Sequence, residues 1–99
     1  MIERHWKGLA KFDEAGNYEH HLKTETFVLL GSIPGFVSSK ILRRTTADGV
    51  EFLVITAWES IKVIKQFAGE NIDVAVVPPK VRDMMISFDE TATHYEVVE

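Results

Sequence analysis

The segment from Glu51 to Trp58 constrains the fold more than any other stretch. Read with the two-residue period of a strand, it places Phe52, Val54 and Trp58 on one face and Leu53, Ile55 and Ala57 on the other. A strand apolar on both faces has to be covered on both. The chain has 99 residues, enough for one domain of two layers and too few for a third. Each Leu, Ile or Phe left wet forgoes roughly 1.5–3 kcal/mol, so the second face calls for another copy of the chain. The expectation is a homodimer whose two sheets face each other as a barrel.

The rest of the chain supplies the other strands and a helical cover. Ile2 to Lys11 reads as a first strand, and Phe36 to Thr45 pairs with Val50 to Trp58 through Thr46-Ala47-Asp48-Gly49. Asp-Gly there predicts a tight hairpin with positive φ angles. Tyr18, Leu22, Val28 or Leu29 and Ile33 fall near helical spacing, so residues 12–33 form a long helix, irregular near Phe27 and stopped by Pro34-Gly35. Ser60 caps a second helix in which Ile61, Ile64 and Ala68 share a face, and Gly69 ends it. A connector from Glu70 to Met85 holds Pro78-Pro79, where Pro79 starts a helical turn through Met84. Met85 to Val98 is a last strand, bulged near Asp89 to Thr91. The order is strand–helix–strand–strand–helix–strand. It predicts an α+β, ferredoxin-like βαββαβ domain over residues 1–99, with a four-stranded antiparallel sheet and two helices on one face.

Composition removes several classes of function. Without cysteine there is no thiolate nucleophile, zinc ribbon or iron–sulfur cluster. Net charge is −4, from 15 acidic and 11 scattered basic residues, which argues against nucleic acid as partner. The opening Met1-Ile2-Glu3-Arg4-His5-Trp6-Lys7 puts charges where a signal peptide needs an apolar stretch, and no apolar run is long enough to span a membrane. The expectation is a cytoplasmic protein with no membrane partner. A phosphate loop, a nucleophile elbow and a zinc-protease helix motif are all lacking.

Seven stretches carry a family resemblance that extends over essentially all 99 residues. They are Arg4-His5-Trp6-Lys7-Gly8, Ile33-Pro34-Gly35-Phe36, Arg43-Arg44, Thr56-Ala57-Trp58-Glu59-Ser60, Phe67-Ala68-Gly69, Ala75 to Pro79 and His94-Tyr95-Glu96-Val97. With these the chain resembles the dimeric α/β-barrel proteins related to antibiotic biosynthesis monooxygenases. The resemblance implies a small-molecule oxygenase, with cofactor-free oxidation of a hydroxyaromatic as the leading chemistry and neither cofactor nor metal required. It also leaves room for a non-catalytic dimeric ligand binder or a stress-related barrel. Haem-degrading members use an Asn on the first strand and a Trp and a His around the second helix. The matching positions here hold Trp6, Phe67 and Val77, which disfavours that reaction.

Within this frame His94 is the candidate base or proton shuttle, since an imidazole near pKa 6.5 can exchange a phenolic proton. A hydrogen bond at the sheet edge or dimer interface is its plainer role. His5 lies on the neighbouring strand and could share its pocket, and Tyr95 stands beside His94. Trp6 and Trp58 could sandwich an aromatic ring or simply fill the core. Arg4, on the same side of its strand as Trp6, could hold a phenolate or form a salt bridge. His20 and His21 point about 100° apart on a helix, wrong for joint metal binding, and read as solvent-exposed.

Overall fold

β1 (Ile2–Ala10) is the hub of the sheet in the computed structural model, which describes residues 1–99. β2 (Phe36–Thr45) and β3 (Val50–Trp58) form the expected antiparallel hairpin, and β3 pairs β1 from Ile2 opposite Trp58 to Ala10 opposite Val50. On the far side of β1, β4 (Met85–Phe88) pairs Gly8 to Ala10 and β5 (Thr93–Glu96) pairs Ile2 to His5. The helices cover one face, so the architecture is the α+β, ferredoxin-like one.

The single last strand expected from Met85 to Val98 is thus two strands sharing one edge of β1. Between them the chain leaves the sheet to bond the connector. Asp89 N–H donates to Lys7 C=O, while Ala75 N–H reaches Glu90 C=O and Ala92 N–H reaches Asp73 C=O. The faltering alternation at Asp89 to Thr91 marks this excursion.

The long helix is broken as expected. A 3₁₀ turn (Phe12–Glu14) leads into α1 (Ala15–His21), a π turn (Leu22–Thr26) and α2 (Phe27–Gly31). Phe27 N–H reaches back five residues to Leu22 C=O, the signature of one residue too many for an α-helical turn. Ser60 caps α3 (Ile61–Ala68) by accepting from Val63 N–H at 3.4 Å, and Gly69 ends it with φ +84°. Pro78 precedes α4 (Pro79–Met84), as the prolines predict.

The hairpin loop works differently from its Asp-Gly signature. No positive φ occurs there. Instead the Thr46 hydroxyl accepts from Asp48 and Gly49 N–H, both at 3.2 Å, and donates to Gly49 C=O at 2.9 Å. Gly49 is required for space, since a Cβ would stand 2.4 Å from the Ala10 carbonyl oxygen.

Phe52 and Trp58 from the helix-facing side of β3, with Leu30 and Ile64, are the largest fully buried side chains. The opposite face carries half-buried Leu53 and Ile55 beside Leu42 (45% exposed) and Tyr95 (54% exposed). This is the apolar second face read from the sequence, and nothing in the chain covers it. No helix is long and apolar enough to cross a membrane.

Candidate functional site

The helix layer and the sheet do not close completely on each other. Arg4 and Trp6 of β1 with Val54 and Thr56 of β3 floor a cavity. Tyr18, His21, Leu22 and Phe27 form its helical wall, and Phe67 of α3 and Val81 of α4 flank it. Half-buried Thr26 and Phe27 face the exposed connector residues Val76 and Pro78 across its mouth. Its volume is about 80 Å³. That exceeds the ~10–15 Å³ needed by one water and falls short of the ~150 Å³ that holds a benzene. A ring enters only if the walls at the mouth give.

Arg4 is the best-fixed polar group at this site, with 5% exposure. Its Nη1 donates to Ile72 C=O and to His94 Nε2 at 2.9 Å, and its Nη2 donates to Val74 C=O at 3.2 Å. Its guanidinium carbon lies 5.8 Å from the centre of the Phe67 ring. Burial lowers the Arg4 pKa from its ordinary value, with nearby Asp73 opposing. Arg4 therefore ties β1 to the connector while forming part of the cavity floor.

His94 sits behind Arg4 and does not line the cavity. A guanidinium can only donate, so Nε2 is the acceptor and the ring proton is on Nδ1, 3.4 Å from Asp73 Oδ1. Burial, and then the Arg4 charge, lower the His94 pKa, with Asp73 opposing. The neutral ring spends its lone pair on Arg4. Direct proton abstraction from a substrate in the cavity does not fit this geometry.

The other sequence candidates divide between the cavity, the core and the open face. Trp6 lines the cavity, its indole N–H held at 2.7 Å by Asp89 C=O. Trp58 does not: it is fully buried, stacked on Phe67 at 5.9 Å between ring centres and donating to Thr56 Oγ1 at 2.9 Å. A Trp6–Trp58 sandwich is thus replaced by Trp6 and Phe67 on the cavity and Trp58 in the core beneath. His5 and Tyr95 lie on the open face, ring centres 4.9 Å apart, with His5 Nε2 2.9 Å from Glu3 Oε1. His5 pairs Thr93 and Arg4 pairs His94, so the two imidazoles fall on opposite faces and share no pocket.

The residue that sequence reasoning placed in solvent is His21. His20 is exposed, but His21 is 7% exposed and lines the cavity. The available signal was its spacing of three from Tyr18, itself on the buried stripe. His21 Nδ1 lies 3.1 Å from Glu25 Oε2, and the same oxygen accepts from Lys80 Nζ at 2.7 Å. The Lys80 and then the His21 hydrogen bond hold the Glu25 pKa below its ordinary value. Burial pushes Tyr18 far above the usual phenol range. No buried side-chain nitrogen or oxygen lacks a partner. Since the Tyr18 hydroxyl and His21 Nε2 make no protein hydrogen bond, neither is sealed from accessible space, and both residues line the cavity.

A βαββαβ sheet with a largely apolar cavity between its layers, aromatic walls and a fixed guanidinium defines the class. The fold is that of the antibiotic biosynthesis monooxygenase-like proteins, as solved structures show. A Nitrosomonas europaea protein provisionally described as an antibiotic biosynthesis monooxygenase is 15% identical, with 100% of each chain covered and a TM-score of 0.72. SnoaB from Streptomyces nogalater, a cofactor-independent oxygenase, is 12% identical over 99% of this chain and 93% of its own, at a TM-score of 0.69. MhuD from Mycobacterium tuberculosis, a haem degrader with two haems bound in its active site, is 16% identical over 100% of this chain and 97% of its own, at 0.61. No protein-family model matches the sequence, and no curated protein matches it.

Proposed function

We propose that the chain is an oxygenase that oxidises a small hydroxyaromatic in this cavity without a resident cofactor. The observation that carries the reading is the pairing of aromatic walls, Trp6 and Phe67, with the buried guanidinium of Arg4. Such a site suits a flat ring whose oxygen becomes anionic. An ionised phenol or enol can pass an electron to O₂ directly, so the protein need only bind, deprotonate and exclude water. In the net reaction one ring C–H and the hydroxyl O–H give up their hydrogens, the ring carbon gains one oxygen from O₂ as C=O, and the hydroxyl carbon becomes C=O. The other oxygen leaves as water with those hydrogens, so no external reductant is needed. Arg4 steadies the anion, Trp6 packs on the ring, and His94 holds Arg4 in place.

The working form is a homodimer, with the open face carrying Leu42, Leu53, Ile55 and Tyr95 packed against its copy. Native mass spectrometry should show a dimer, and Ile55→Lys should convert it to monomer. A monomeric wild type would remove the dimer from the reading.

The activity is tested by oxygen uptake with anthrone. The rate should scale with protein and fall as a non-oxidisable phenol saturates the cavity. Uptake no faster than the protein-free control, with phenol binding intact, would leave a ligand binder in place of an oxygenase. Haem breakdown belongs to the same fold in MhuD. A Soret shift on adding haemin, followed by loss of the band under ascorbate and O₂, would move the assignment there.

A further inference from the structure

We infer that His21 is the general base of the cavity, taking the proton of a phenolic ligand on Nε2 while Glu25 holds Nδ1. The inference rests on the proposed reading for its ligand class, but its geometry stands apart from it. His21 is the only imidazole lining the cavity, whose ionisable lining is completed by Arg4 and Tyr18. The Glu25 contact fixes the tautomer: a carboxylate accepts, so the ring proton sits on Nδ1 and the lone pair on Nε2. That nitrogen has no protein partner and is not sealed from accessible space, and it belongs to a residue that lines the cavity.

The proton movement is simple. The phenol O–H bond breaks, the Nε2–H bond forms, and the oxygen keeps the electron pair. The imidazolium lies beside the Glu25 carboxylate, which is itself paired to Lys80 at the helix surface. The phenolate shares the cavity with the Arg4 guanidinium and the Tyr18 hydroxyl, both donors. Glu25 touches no ligand and is a positioning residue. An imidazole on the helical wall and a guanidinium on β1 divide the work that a single basic group would otherwise have to combine.

The test uses a chromogenic probe, 4-nitrophenol, at a pH below its solution pKa, where free probe is mostly neutral. Bound to wild-type protein it should show the yellow phenolate band. Bound to His21→Gln, which keeps the bulk and polarity of the side chain, it should stay colourless, with Trp6 quenching reporting that binding persists. Glu25→Gln should lie between, and anthrone oxidation by His21→Gln should fall on the order of 100-fold, the low end for a lost general base. Raising the pH until the probe ionises unaided should restore the band in His21→Gln. An equally strong band in wild type and His21→Gln would overturn the inference and leave ionisation to Arg4. Neutral probe bound to wild type would overturn it as well. Absence of any probe binding would overturn the hydroxyaromatic reading together with it, whereas ionisation without oxygen uptake would spare the base and remove the oxygenase.

Discussion

His94 and His21 are built from the same parts and put to opposite ends. Each has a carboxylate at Nδ1, Asp73 for one and Glu25 for the other. They differ in what faces Nε2. Against His94 stands Arg4, whose hydrogen bonds fasten the connector to β1. Against His21 stands the cavity. A carboxylate–imidazole pair is therefore not in itself a catalytic signature. The group at the far nitrogen decides whether the lone pair is spent on the fold or held for a ligand.

Breaking the His94 side should have the largest effect. Arg4→Met removes the donor from two backbone carbonyls and His94 Nε2, all part-buried, and an acceptor left unpaired away from water costs about 1–3 kcal/mol. Urea denaturation should show a loss of about 3–5 kcal/mol with the m-value unchanged, and a loss under 1 kcal/mol would show that the connector does not depend on Arg4.

The two tryptophans sharpen the same contrast. Trp58→Phe removes the bond to Thr56 and leaves a void in the core, for about 2 kcal/mol, without changing phenol binding. Trp6→Phe should cost less stability and weaken the ligand instead. If Trp58→Phe altered ligand affinity as strongly as Trp6→Phe, the division between core and cavity would fail.

The smallest effect is a slope. With the His94 pKa lowered in the fold, the unfolded chain, titrating near 6.5, takes up its proton first as pH falls. Stability should thus decline from about pH 6.5 down to the folded-state pKa and level off below it. His94→Gln should remove that stretch of slope, which urea unfolding at a series of pH values will read. An unchanged slope would place the titration elsewhere.

The first three strands, the hairpin, the Ser60 cap, Gly69 and the Pro79 turn were legible because each follows from local chemistry acting within a few residues. So was the shared side of Arg4 and Trp6, which strand alternation dictates. The split of the last strand was not, because it depends on its bonds to the distant connector. The Asp-Gly pair located the hairpin but not its mechanism, since the need for Gly49 comes from Ala10 in a distant strand. Trp58 was misplaced because an indole on the helix-facing side can meet either cavity or core, and Phe67 decided which. His21 was missed for a similar reason. Adjacent histidines on a helix look alike until the sheet beneath shows which one turns inward, and the π turn beyond them obscures the count.

That π turn gives the helix a reserve of one residue. One residue is accommodated between Leu22 and Thr26 beyond what an α-helix would hold, so Phe27 bonds Leu22 five residues back instead of four. Deleting it would let the helix run regularly and leave Phe27 at the mouth and Leu30 against Trp58, because the widened turn has already taken up the extra rotation of about 100°. Loss of a single codon, which in a regular helix would rotate everything after it, would here close the turn and spare the wall that encloses the ligand.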